Sequence, residues 1–508
     1  MLFSAGALLA IEQKGLLGEV DSITSVSGSS FLNGKLALAW PNLRTDDRVR
    51  WRLEPKVIAD VQDMADHTID VPSILIGAST PFTTNSTFVA SAIDRHLTHH
   101  ASLADLPTPN IGVNPQTPVF SFQATDLATG KPWFFSNQRT RGGAGREFRL
   151  LDIPLSQVIT ASSAFPPIIT PVSINFSGPA RDGYEIVPNL DGQLVSELAM
   201  KLSGYTLSFT DGGVSDNRGM GECIRSGRGL ISDAAVFDTV DAKVKTDPIS
   251  VATRVSDIVY SRAERERTES VIQTSPYQGL ANAMMRGMAI DKKEAMEEAP
   301  YYDKMLQEPI IFGYKEFDSL LYWAEIRKSV SFLDQKNISL TDDATYLLDH
   351  LDSALCHAMV PTRLKKLDRD TQNNIINMGY LSALSAIELK LWSANYKKYW
   401  VDYADTPQWK GSAFPVLMFK PPRHAQEVLE RLGTCENQQW VSAYVDSVKQ
   451  RMAPLSAALK GARPSELLPI AIRINDDEIS DQLKKDFQDA FEGLIDSEGG
   501  QEVESGNE

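Results

Sequence analysis

The sequence predicts an α/β fold built on an open sheet. Three stretches carry that expectation. An apolar run, Val20 to Thr24, passes through Ser25-Val26-Ser27-Gly28-Ser29-Ser30 into a second apolar run, Phe31 to Trp40. That order reads as a strand, a turn of small residues and a helix. Tyr205 to Thr210 reads as another strand and runs straight into Asp211-Gly212-Gly213. Val119 to Asp126 alternates apolar and polar side chains, the two-residue period of a strand. Leu127 to Gly130 then turns the chain, and Pro132 to Ser136 continues a hairpin.

Taken in order, the chain opens on an apolar segment, Met1 to Ile11. A secretory signal would carry a basic n-region, and this segment has none. Glu12 and Lys14 follow it directly, so it reads as a buried helix in which Ser4, Ala5, Gly6, Ala7 and Ala10 allow close packing. The strand–turn–helix at 20–40 then has the form of a nucleophile elbow, in which a sharp turn projects one hydroxyl from the top of a sheet. Small residues two before and two after the tip keep side chains out of the turn. Here these are Ser25 and Ser29, and the tip is Ser27. Serine-rich turns also join strands to helices without any chemistry. Asp211 adds the second half: a carboxylate at a strand's end, held by two glycines, stands where open α/β sheets place their sites.

Together these motifs resemble the patatin-like phospholipases, lipid acyl hydrolases marked by a G-x-S-x-G elbow and a later Asp-Gly-Gly or Asp-Gly-Ala. Further matching segments are Ala124-Thr125-Asp126-Leu127 with Thr129-Gly130, Ala161-Ser162-Ser163-Ala164-Phe165-Pro166-Pro167, and the phrase ending Gly379-Tyr380. The resemblance covers roughly residues 1–390, most strongly 1–40, 119–240 and 360–382. It implies a three-layer α/β/α sandwich with a mainly parallel central sheet and a helical C-terminal extension. It implies a Ser-Asp dyad without histidine, Ser27 as nucleophile and Asp211 as its general base. Gly28 and the start of the elbow helix would support the oxyanion. Ser25 and Ser29 would shape the elbow, and Gly212 and Gly213 would hold the aspartate loop. No metal and no cofactor is implied. The substrates would be phospholipids, lysophospholipids or acylglycerols. A cytoplasmic protein would meet them in transient, peripheral contact with a membrane or micelle.

Two departures from the family pattern bear on that reading. The family's glycine-rich oxyanion loop, G-G-G-x-R/K-G, ends a strand ahead of the first helix, whereas this sequence opens inside that helix. The absence reads as truncation of a longer protein. Losing one oxyanion donor costs about 10²–10³ in rate. Ser25 replaces the first elbow glycine, adding a Cβ and a hydroxyl where clearance is small; Ser29 is the milder replacement. A catalytically impaired patatin-fold protein that binds lipid or a protein partner is therefore the alternative. A histidine-using triad is a third class, but none of the seven histidines stands in the order and context of the α/β-hydrolases.

Other features read as structural. His96, His99 and His100 fall at i, i+3 and i+4 of a helix marked by Phe88, Val89, Ile93 and Leu97, and read as a solvated face rather than a metal site. Pro55 opens a helix running to His67. Arg141 to Arg146 is a basic, glycine-rich hairpin loop that lacks the Lys-Ser/Thr of a phosphate loop. Asn189-Leu190-Asp191-Gly192 offers a rival aspartate without a second glycine. The cluster Arg363, Lys365, Lys366 and Arg369 reads as the solvated side of a helix rather than a headgroup site.

The organisation expected is a core over 1–245, a helical region over 246–395 completing it, a helical extension over 396–475 and an acidic, disordered tail over 476–508. The tail holds 12 acidic and 2 basic residues, so it carries −10 of the net charge of −16. No basic stripe suggests nucleic acid. Cys223, Cys356 and Cys435 have no metal-ligand spacing, and their sparse, odd count suits a reducing compartment. No stretch reaches the 18 or so apolar residues of a membrane-spanning helix.

Overall fold

A computed structural model describes residues 1–45, 50–51, 53–67, 84–112, 116–138, 140–142, 146–148, 153–175, 206–221, 223, 229–234, 310–314, 320 and 366–403. The chain divides into two compact units, 1–273 with 357–383, and 274–356 with 384–508. In the second unit the described parts are a strand, Ile310–Gly313, Leu320 and the continuation of the helix Arg369–Tyr403. Asp191, His350, His357, Arg363, Lys365, Cys356, Cys435, the 396–475 extension beyond Tyr403 and the acidic tail lie outside the described residues.

The first unit opens with α1 (Leu2–Gln13), buried along Leu2, Phe3, Ala5, Gly6, Ala7, Leu8 and Ala10. It is followed by β1 (Ser22–Val26) and α2 (Ser29–Ala39). A short hairpin of β2 (Arg44–Thr45) and β3 (Arg50–Trp51) leads into a wide π-helical turn, Glu54–Ile58, and α3 (Ala59–Ala65). Next comes α4 (Asn85–Ile93), whose Val89 and Ile93 are fully buried, as the spacing predicts. The sheet strands are β4 (Val119–Asp126), β5 (Lys131–Ser136), β6 (Thr140–Gly142) and β7 (Arg146–Phe148). After α5 (Leu155–Ser163) they continue as β8 (Val172–Asn175) and β9 (Thr206–Asp211). The short α6 (Gly213–Asp216), β10 (Leu230–Asp233) and α7 (Arg369–Tyr403) complete the described elements of this unit.

The α/β class holds, but the sheet is not mainly parallel. Its order is β7-β6-β5-β4-β9-β8, with β1 also on β4. Among the described strands of this sheet, β1–β4 is the one parallel pair and every other pairing is antiparallel. The reason is local: β4 to β5 and β5 to β6 are joined by short turns, and short turns can join only antiparallel neighbours. Asp126 closes the first turn by accepting from the Ala128 N–H and the Thr129 hydroxyl, both at 2.9 Å. Arg141 pairs with Glu147, so the basic glycine-rich segment is a hairpin end.

β4 is the axis of the sheet. One edge is filled by β5, with Ser121 opposite Ser136 through Asp126 opposite Lys131. The other edge is shared. β1 lies parallel to its first half, ending with Val26 opposite Gln123. β9 lies antiparallel to its second half, ending with Asp211 opposite Ala124. The C-terminal ends of β1 and β9 therefore meet head-on at two consecutive residues of β4. Phe209 holds the aromatic side of this frame, edge-on to Trp133 at 5.3 Å and to Phe135 at 5.2 Å.

Two helices cross by backbone contact. A Cβ on Gly6 would lie 1.8 Å from the Ile376 carbonyl oxygen, and one on Gly379 would lie 1.8 Å from that of Phe3. Only glycine fits at either point, so α1 and α7 approach at both sites through bare backbone.

Candidate active site

The meeting of β1 and β9 puts Ser27, one residue past Val26, beside Asp211. The Ser27 hydroxyl donates to Asp211 Oδ2 at 2.6 Å. Asp211 Oδ1 accepts from the Gly213 N–H at 2.7 Å. Both partners expected from the sequence are thus brought together.

Ser27 stands at φ 55°, in the left-handed region. A residue with a Cβ is held there at a cost of about 1–3 kcal/mol, so the surroundings must enforce it. They do so through the backbone. The Ser27 N–H donates to Ser162 Oγ at 3.1 Å, and the Ser27 carbonyl accepts from the Ser30 N–H at 2.9 Å. Ser29 ties the other side of the turn: its hydroxyl donates to the Val26 carbonyl at 2.6 Å and accepts from the Val26 N–H at 3.0 Å. Gly28 is the residue from which α2 starts, and a Cβ there would lie 3.8 Å from the Met1 backbone nitrogen. The elbow therefore faces the start of α1.

Ser25, where clearance was expected to be small, is absorbed into a buried polar network. Its hydroxyl donates to the Ser121 carbonyl at 3.3 Å and accepts from Asn33 Nδ2 at 3.0 Å. It also lies 3.0 Å from Ser30 Oγ, which is 2.7 Å from Ser162 Oγ. The extra hydroxyl ties β1 to α2 and β4 instead of opening the turn.

The aspartate side is fixed by β4. Gln123 Nε2 donates to the carbonyls of Gly212 at 3.1 Å and Asp216 at 3.0 Å. The Thr125 hydroxyl donates to the Asp211 carbonyl at 2.8 Å. The Gly212 N–H donates to the Ser162 carbonyl at 3.0 Å, and the Asp211 N–H to that of Ala164 at 3.1 Å. Gly212 has no room for a side chain, since a Cβ would meet the Gln123 carbonyl oxygen at 2.3 Å. Ser162 Oγ donates to that same Gln123 oxygen at 2.6 Å. One α5 residue therefore touches the elbow, the aspartate loop and β4.

Asp211 is 1% exposed. Desolvation raises its carboxyl from 3.8 to about 7, against the hydrogen bonds from Ser27 and Gly213 that pull it down. A carboxylate titrating near neutrality is matched to taking a proton from a serine hydroxyl. The arrangement can therefore activate Ser27 as a nucleophile.

Sequence reasoning missed the supporting residues. Ser162 and Thr125 stand there only within matching segments, and Asn33, Ser121 and Gln123 have no role. Ser121, Gln123 and Thr125 are alternate residues of β4, the polar half of its two-residue pattern. In a one-sided strand that half faces water, yet here Ser121 is 5%, Gln123 0% and Thr125 1% exposed. A polar row on a strand flanked by apolar helices was the available signal. The double proline lies three residues beyond the end of α5, which stops at Ser163.

The histidine face is also rearranged. His99 and His100 leave the helix with φ 49° and 67°, and His100 turns back onto Asp94, Nδ1 to Oδ2 at 2.6 Å. His96 faces His67 instead, with ring centroids 4.6 Å apart. Desolvation and the neighbouring His67 hold His96 below its ordinary value.

Among the described residues, no helix is long and apolar enough to cross a membrane. A scan against protein-family models finds no match for this chain. A search of the curated proteins likewise finds none.

Proposed function

We propose that this chain is a serine esterase acting through a Ser27–Asp211 dyad, a lipid acyl hydrolase of the patatin-like phospholipase type. The single observation behind this reading is the 2.6 Å hydrogen bond from a strained elbow hydroxyl to a buried carboxylate. A three-layer arrangement of the sheet and its helices is part of the same proposal.

Ser27 Oγ attacks the acyl carbonyl carbon while its proton passes to Asp211 Oδ2. The carbonyl oxygen becomes an oxyanion, which the Gly28 N–H and the start of α2 are placed to stabilise. The C–O bond to the alcohol breaks as Asp211 returns the proton to the leaving oxygen, and the acyl group stays on Ser27. Water, giving its proton to the same carboxylate, then attacks the acyl-enzyme. The products are a carboxylic acid and the alcohol of a phospholipid, lysophospholipid or acylglycerol. The acyl chain is taken up in transient contact with a membrane or micelle.

Labelling with a serine-directed fluorophosphonate tests this. Wild-type protein should label at Ser27, and Ser27→Ala and Asp211→Ala should each lose at least about 10³-fold in labelling rate. Unlabelled wild type should also release fatty acid from phospholipid or acylglycerol micelles, and labelling should abolish that release. Silence of correctly folded wild type, with or without an added upstream glycine-rich loop, overturns the proposal in favour of a binding protein.

A further inference from the structure

The elements 54–67 and 94–98 bring three metal-ligating side chains to one point on the surface. Asp63 and His67 stand four residues apart, on α3 and just past its end. Helical spacing of that kind sets two side chains on one face. His96 comes from the wide π-helical turn Asp94–Thr98 that follows α4. One ligand atom from each of the three lies within 4.8 Å of the other two. A point within about 2.8 Å of all three then exists (the side divided by √3), close to the 2.0–2.2 Å of zinc bonds to nitrogen and oxygen. Small rotations of exposed side chains close that gap.

The state of these groups supports a ligand. The two imidazoles stand at 4.6 Å, tilted by 36°, with no hydrogen bond to hold them so among the described residues. Nor does any described residue donate to the Asp63 carboxylate. By contrast, the nearby His100 and Asp94 satisfy each other. Asp66 is likewise taken up, accepting from Arg369 and Gln372. Asp63, His67 and His96 are the ligand-competent groups that converge here.

We propose that Asp63, His67 and His96 form a binding site for a divalent transition ion of the zinc class, clipping α3 to the turn after α4. Two neutral imidazoles and one carboxylate are a common donor set for such ions, and water completes the coordination. None of these elements carries Ser27 or Asp211, so the site stands apart from the proposed acyl chemistry. A coordinated ion would cross-link α3 to the helical turn after α4.

The test uses the full chain stripped with a chelator and titrated with Co²⁺, then Zn²⁺. Wild type should bind one Co²⁺ with visible d–d absorption, lose that signal on Zn²⁺ addition, and melt at higher temperature with Zn²⁺. His67→Ala and His96→Ala should each weaken binding at least tenfold, and the double variant should abolish it together with the thermal shift. Asp63→Asn should weaken it less. His100→Ala should leave it unchanged, because His100 is paired to Asp94. These side chains are half-buried or exposed, so folding survives the changes. Absence of saturable binding in wild type, or full binding in the His67→Ala/His96→Ala double variant, overturns the proposal.

Discussion

The two edges of β4 are built from the same strand and do opposite work. On one edge β5 runs the full length of a regular hairpin, and every ladder position from Ser121 to Asp126 has its partner. On the other edge the ladder is divided between β1 and β9, which arrive from opposite directions and stop at Gln123 and Ala124. The uninterrupted edge supplies rigidity and no chemistry. The divided edge leaves two chain ends facing each other, with Ser27 and Asp211 hydrogen-bonded at their tips. A sheet thus makes a site where its hydrogen-bond ladder breaks, provided the strand beneath runs on unbroken.

This comparison can be pressed at the divided edge first, where the effects should be largest. With Asp211 as base, the labelling rate of Ser27 should fall about tenfold per pH unit below about 7 and level off above it. The same group gives a stability test of known sign. Its folded value is raised, so its contribution to stability is full below its ordinary 3.8 and is lost as pH rises towards about 7. Asp211→Asn has no such loss. Its thermal stability relative to wild type should increase between about pH 4 and pH 8, even though its labelling is abolished. A flat difference across that range would mean the carboxylate is not buried as described.

A smaller effect is expected from Ser162→Ala. That change removes the acceptor of the Ser27 N–H and the donor to the Gln123 carbonyl. Leaving those buried groups unpaired costs about 1–3 kcal/mol, so labelling should slow by about tenfold or more. The pH midpoint should stay near about 7, since Ser162 does not touch the Asp211 carboxylate. The smallest effect on chemistry belongs to the continuous edge. Phe135→Ala removes a fully buried ring beside Phe209 and should destabilise folding by about 3–5 kcal/mol. Below its melting temperature it should label at close to the wild-type rate. If it instead lost labelling as Ser162→Ala does, the two edges would not be separable.

Much of this was legible in the residues. The elbow, the strand before Asp211 and the hairpin from Val119 are set by local patterns, and local patterns survive folding. The nearness of Ser27 and Asp211 was legible because a hydroxyl and a carboxylate each sat at a strand's end. The sheet's direction was not. Whether β9 lies parallel or antiparallel to β4 depends on how residues 206–211 are delivered, and that path is long-range. The network of Ser25, Asn33, Ser121 and Ser162 was hidden for the same reason. These small polar groups look like solvent-facing filler until residues 25, 121 and 162 are brought together. The pairing of His67 with His96 joins two segments whose separation in sequence gave no hint of it, while the helical spacing of His96 with His99 and His100 suggested a face that the backbone abandons at His99.

The crossing of Gly6 on Ile376 and Phe3 on Gly379 sets the order in which this protein can be finished. α1 begins beside the elbow, yet its backbone is met by a helix about 370 residues downstream. A ribosome adding about 5–20 residues each second would therefore leave this face of α1 uncovered for tens of seconds. During that interval α1, which starts beside the elbow, lacks the helix that Gly6 and Phe3 meet. The element beside Ser27 is thus made first, and its packing waits on the arrival of residue 379.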